Sequence, residues 1–276
     1  MSRSGDREPG DVDLNRLGLK LGKQTAEDCL DPVPRALSRR DMNLPEMYGY
    51  DLWNAWEVGY LTPVGRPVVR HMQCVYAADT PHIVESKSFK LFLNARNNEA
   101  FEDLPAFEDH VRKALAACVG GPVDLRFHAP EATPGTRKLQ GICIDQAETE
   151  RFPSTYDPGL LGSGRVSSGE FRFHSHLLRS LCPVTAQPDW GAVEIAGQGP
   201  RSPEPAALLA YIVGLRNHRD FHEVCCERIY ADLYNALKPD RLTVHCLYTR
   251  RGGLDICPVR STHPDPELSR EPVWRQ

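Results

Sequence analysis

The chain has 276 residues, 41% of them hydrophobic and 25% charged, with a formal net charge of -4 at neutral pH. This is the composition of a globular protein of one large or two ordinary domains, and it excludes a fibrous, disordered or membrane-embedded chain. The acidic balance argues against direct nucleic-acid binding, which needs a basic surface to displace phosphate counterions, and favours a small-molecule partner.

The opening "MSRSGDREPGD" lacks the apolar run of a signal peptide, and no stretch approaches the ~20 apolar residues of a bilayer span. A cytoplasmic protein with no membrane partner is therefore expected. Nine cysteines without any Cys-x-x-Cys fit reduced thiols, most of them small core hydrophobes.

Residues 1–45 are rich in charge, Pro and Gly and are expected to form a wrapping segment rather than a fold of their own. "RPVVRHMQCVYA" and "PHIVESKSFKLFLNA" read as two strands around the turn-like "ADTP", because they are β-branched and aromatic with partial alternation. "LPAFEDHVRKALAACVGG" predicts a helix, with Phe107, Val111, Ala114, Leu115 and Cys118 on one face, Pro105 near its start and Gly120 past its end. "PVDLRFHA" and "KLQGICIDQ" are again strand-like, which closes a first unit over 46–150.

After a Pro/Gly/Ser-rich connection the plan recurs over 151–276. "GEFRFHSHLL" and "WGAVEIAG" read as strands, Pro203 to about Lys238 as helical, and "RLTVHCLYTR" and "GLDICPVRS" as strands. Paired strands flanking helices, without regular βαβ alternation, predict an α+β fold with antiparallel sheets.

No Gly-x-Gly-x-x-Gly and no P-loop pattern occurs. His222 and Cys226 share a helical face but make only two ligands, too few for zinc. Asp220 and Glu223 have capping-box spacing. "TRRGG" reads either as a turn or as a place where cations and backbone meet phosphate. On the strand reading of "VESKSFK", Glu85 and Lys87 point to one side, either as a solvated edge or as a carboxylate for a purine-like ring beside a cation.

In "SLCPVTAQPDWG", Pro183 and Pro188 forbid a helix between Cys182 and Asp189, so the segment can loop and bring the carboxylate back to the thiol. Cys182 is then either a core thiol or a nucleophile whose proton passes through Asp189 to a substrate atom that becomes anionic on attack.

Taken together, "ESKSFK", "CPVTAQPDWG" and "FHEVCCERI" resemble, in order and separation, the long-form QueF family, NADPH-dependent 7-cyano-7-deazaguanine reductases of queuosine biosynthesis. The resemblance runs from about Leu44 to Arg260. It implies tandem tunnelling-fold units, antiparallel sheets with helices packed on one face. It also implies four-electron reduction of a nitrile to a primary amine with two NADPH per turnover and no metal.

By that resemblance Cys182 is the nucleophile that forms a thioimide, Asp189 the acid that protonates its nitrogen, and His222 a further catalytic group. Val84, Glu85, Ser86, Phe221, His222 and Glu223 hold the deazaguanine. Ser86, Lys87, Arg251 and Gly252 contact NADPH, and the family implies a homodimer. Leu181 and Ala186 replace residues that are often polar in relatives, and Cys226 adds a thiol beside Cys225 that would be prone to oxidation if exposed. Two other classes fit the same residues: a thiol-dependent nitrile or amide hydrolase, and a non-catalytic purine- or pterin-binding module.

Overall fold

The computed structural model describes residues 30–276 except 133, 134, 265 and 267, together with the side chain of 168, so most of the expected wrapping segment lies outside the described residues. In chain order the elements are β1 (Pro32–Pro34), α1 (Arg35–Arg39), β2 (Tyr48–Leu61), β3 (Pro67–Ala77), β4 (His82–Val84), α2 (Ser86–Arg96), α3 (Leu104–Val119), β5 (Val123–His128) and β6 (Ile142–Cys143). There follow β7 (Arg165–Ser175), β8 (Arg179–Leu181), β9 (Pro188–Ser202), α4 (Pro205–Gly214), α5 (His222–Leu237), β10 (Arg241–Tyr248) and β11 (Leu254–Ser261).

One sheet runs in the order β5-β3-β2-β11-β10-β9-β7-β6, with β8 paired to β9. Its pairings are antiparallel except for the short β6–β7 pair. The α+β expectation is met, and each half lays its helices on one face of the sheet. Phe89 of α2 and Phe107 and Leu115 of α3 share one core with Trp53 of β2, while Tyr211 of α4 and Ile229 of α5 share another with Ile195 of β9 and Val244 of β10. Side chains on a strand alternate in direction, so Leu242, Val244 and Cys246 of β10 enter that second core while Thr243 and His245 face the other way.

Two local expectations need correction. "ESKSFKLFLNA" is not a strand: the Glu85 carboxylate accepts from Lys87 N at 2.9 Å and Ser88 N at 2.6 Å, capping α2. Ser88, Phe89, Phe92, Leu93 and Arg96 then recur at helical spacing as its buried face. "KLQGICIDQ" contributes only the two residues of β6. The helix at "LPAFEDHVRKALAACVGG" forms as expected, with Asp103 as its cap and Gly120 in the left-handed region at φ 75°.

The two halves meet where β2 pairs with β11, from Leu254 opposite Ala55 to Ser261 opposite Tyr48. Beneath that seam the fully buried Arg260 binds Asp51 Oδ1 at 2.8 Å and Glu227 Oε1 at 2.8 Å. Arg35 and Arg39, from the N-terminal segment, reach Asp51 at 2.5 Å and Glu227 at 2.7 Å. The cations outweigh burial and hold Asp51 and Glu227 below the usual carboxylate range. This network ties α1, β2, β11 and α5 together directly behind the functional cleft.

Candidate active site

The cleft lies across the seam and holds about 30 Å³ of water-accessible space. The first half supplies Trp53 from β2 and Val84, Glu85 and Ser86 from the β4–α2 junction. The second half supplies Cys182, Pro183, Asp189, Asp220, Phe221, His222, Glu223, Arg251 and Ile256. A larger hollow of about 600 Å³ opens on the opposite face, lined by Arg137, Glu194 and His245 among others, and contains none of the described cysteines.

Cys182 follows β8 directly. Ser180 pairs with Asp189 and Leu181 with Pro188, and Cys182 N donates to Gln187 O at 2.9 Å, so the strands close a tight turn over 182–187. Because side chains alternate, Cys182 and Ser180 lie on the same face as Asp189. Partial burial raises the thiol's pKa, but the Thr185 hydroxyl, the N–H groups of Thr185 and Val184, and the Arg251 charge outweigh it and leave the thiol below its ordinary range. That is the electrostatic setting of a reactive thiol. The other described cysteines are also free, and all of them except the exposed Cys143 are buried.

Asp189 is 3% exposed and has a nitrogen neighbour at each oxygen: Arg251 Nη1 pairs with Oδ1, and His222 Nε2 stands 3.2 Å from Oδ2. The His222 ring stacks on Tyr248 with centroids 3.8 Å apart. Burial pushes its imidazole down to about 3, so the ring is neutral. With Nε2–H turned toward Asp189, Nδ1 remains an acceptor, and it has no hydrogen-bond partner.

Glu223 sits in the first turn of α5 and is 2% exposed. Burial, then the Asp51 charge, pushes its carboxyl up to about 8, and Oε1 has no hydrogen-bond partner. Two buried polar atoms, His222 Nδ1 and Glu223 Oε1, therefore lack partners in one cleft, a costly arrangement unless a polar ligand satisfies them.

Comparison with known proteins bears on the same residues. Residues 22–127 match a family described as nitrile reductase, 7-cyano-7-deazaguanine-reductase N-term, and residues 188–267 match one described as QueF-like protein. Proteins called NADPH-dependent 7-cyano-7-deazaguanine reductase in the Dugway 5J108-111 and RSA 331 strains of Coxiella burnetii are each 40% identical over 92% of this chain and 93% of their own. The chain belongs to the QueF nitrile reductase family. The apo structure of an archaeosine synthase, QueF-Like, aligns with 36% of this chain and 99% of its own at a TM-score of 0.32 and 18% identity.

Of the residues that the family resemblance singles out, Val84, Glu85, Ser86, Cys182, Asp189, Phe221, His222, Glu223 and Arg251 line this cleft. Lys87 is exposed in the first turn of α2, and Gly252 lies in the β10–β11 turn; neither lines it. The capping reading of Asp220 does not hold: Phe221 is the N-cap of α5 without a side-chain bond, and Asp220 instead binds Arg228 at 2.8 Å and His218 at 2.7 Å. Cys226 is buried and donates to Val244 O and Pro258 O, so it is neither a ligand nor an exposed thiol.

Sequence reasoning did not identify Trp53, Ile256 or Thr185 as part of the site. The Thr185 hydroxyl had a local signal, since it is three residues from Cys182 within a turn. Trp53 and Ile256 had none, because they enter through the pairing of strands about 200 residues apart. Among the described residues no group of three or more His, Cys, Asp or Glu is placed to hold a metal ion, and no helix is long and apolar enough to cross a membrane.

Proposed function

We infer that this cleft reduces the nitrile of 7-cyano-7-deazaguanine to the aminomethyl group, as an NADPH-dependent oxidoreductase of queuosine biosynthesis. The observation that carries the chemistry is the cross-strand turn placing Cys182 on the Asp189 face, with the thiol already favoured toward its ionised form. The Cys182 sulfur adds to the nitrile carbon while its proton passes through Asp189 to the nitrile nitrogen, giving a thioimide. Each of two NADPH molecules supplies one hydride to that carbon: after the first the C–S bond breaks to leave an imine, and after the second the amine forms, with two protons taken up overall.

His222 steadies Asp189 and offers Nδ1 as an acceptor. Glu223, with its carboxyl neutral, offers both a donor and an acceptor to the deazaguanine edge. Glu85 caps α2 and reaches the same ring when its carboxylate turns from the helix N–H groups, with Ser86 beside it. Val84 and Phe221 supply apolar contact to the base.

Lys87 and Lys90 on α2 and Arg251 across from them suit the phosphates of NADPH, since guanidinium and ammonium groups bind phosphate as charge-assisted donors. Gly252 is part of that approach: a Cβ there would stand 2.6 Å from Lys90 Nζ. No metal is needed for these steps, and the protein acts as a homodimer.

The test is an intact-mass spectrum of the full chain mixed with the nitrile in the absence of NADPH. A mass increase equal to the whole nitrile is expected, absent in Cys182→Ala, and two NADPH should be oxidised per amine formed once the cofactor is added. No adduct on the wild-type chain, or carboxylate and ammonia as products, refutes the assignment.

A further inference from the structure

Arg251 approaches the cleft from the turn between β10 and β11. That turn is closed by Arg251 N donating to Leu254 O at 2.8 Å and Leu254 N donating to Arg251 O at 3.2 Å. Gly252 and Gly253 lie at φ 60° and 85°, a conformation that ordinary side chains resist, so the turn is shaped to present Arg251.

The two partners of the ion pair are unequally placed. The Asp189 side chain is 3% exposed and the Arg251 side chain 40%. The carboxylate is thus part of the floor of the cleft, and the guanidinium covers it from the solvent side. Charge-assisted pairs of this kind fix the orientation of the carboxylate as well as its charge.

Besides Thr185 in its own turn, the titratable groups that share the cleft with Cys182 come from several elements: Asp189 on β9, Asp220, His222 and Glu223 around the start of α5, and Glu85 at the start of α2. Among the described residues lining the cleft, Arg251 is the one guanidinium or ammonium group. The remaining charges there are carboxylates, which oppose formation of a thiolate. One cation therefore counters them and also pins the proton carrier.

We propose that Arg251 is a positioning residue for the first chemical step, acting before NADPH takes part, by holding Asp189 against His222 and keeping a cation beside Cys182. This rests on the thioimide reading. In that step the S–H bond breaks, the C–S bond forms, and the proton moves through Asp189 to the nitrile nitrogen, with no electron from the cofactor. A residue that served only to bind NADPH would have no influence on it.

The experiment uses the full chain as wild type, Arg251→Gln and Arg251→Lys, each checked for folding by its thermal midpoint. Each is mixed with 7-cyano-7-deazaguanine without NADPH, and adduct growth is followed by intact mass from neutral to alkaline pH. Alkylation of the Cys182 peptide by iodoacetamide is followed over the same range. Adduct formation in Arg251→Gln is expected to slow by about tenfold or more, its alkylation profile to move to higher pH, and Arg251→Lys to recover part of both. Wild-type kinetics and an unmoved profile in Arg251→Gln, with only the KM for NADPH raised, overturn the proposal alone. No adduct on the wild-type chain overturns the thioimide reading and this role with it.

Discussion

Glu223 is the residue through which folding stability and ligand recognition are most directly linked. Its carboxyl has an ordinary value of 4.5 and is pushed up to about 8 in the folded chain, chiefly by burial and secondarily by Asp51. Below about 4.5 both folded and unfolded chains carry the proton, and this site exacts no penalty. As pH rises from there toward 8, the unfolded chain loses the proton while the folded chain keeps it, so stability is progressively lost.

At pH 7 the unfolded carboxyl has titrated through about two and a half units, which at ~1.4 kcal/mol per unit is on the order of 3 kcal/mol. Glu223→Gln has nearly the same shape and no ionisation to lose. It should therefore raise the thermal midpoint near neutral pH by roughly 6–12 °C, while keeping the donor and the acceptor that the neutral carboxyl offers the deazaguanine. Differential scanning calorimetry across pH measures the first effect. A gain that is unchanged between about pH 5 and 8, or a loss near pH 8, would show that the carboxyl is not held neutral and would refute the linkage argument.

Two further predictions concern the turn and the seam. Ala186 sits at φ 55° in the turn that carries Cys182, where glycine has no Cβ clash, so Ala186→Gly should stabilise the chain by about 0.5–1 kcal/mol without slowing adduct formation; a lower urea midpoint would count against the strain. Arg260→Met leaves Asp51 and Glu227 short of a buried cation and should cost about 3–5 kcal/mol in urea unfolding, whereas a loss below about 1 kcal/mol would mean that Arg35 and Arg39 alone suffice.

Much of the fold was legible where the forces are local. The α3 helix announces its own ends, because Asp103 and Gly120 act within one turn of their positions. The stretch after Val84 misled because it continues from the β-branched Ile83 and Val84 of a true strand and carries aromatic residues, yet Glu85 capping Lys87 N and Ser88 N starts a helix there. The helical spacing of Phe89, Phe92 and Leu93 was the available signal. The β2 strand went unrecognised because Leu52 to Ala55 are buried on both faces, between sheet partners and packing layers, so the alternation that marks a half-exposed strand is absent.

The sequence by itself determined the local chemistry: two prolines that keep Cys182 and Asp189 off a helix, so that the segment between them can loop back, and three motifs whose order names the family. Only the tertiary structure decided which long-range charges meet them. Arg251 pairs with Asp189 from 62 positions away, Asp51 on β2 adds to the effect of burial in raising Glu223 on α5, and Arg260 joins Asp51 to Glu227 beneath the seam. Coulomb forces depend on distance in space and on burial, and chain separation encodes neither until the β2–β11 pairing brings the two halves together.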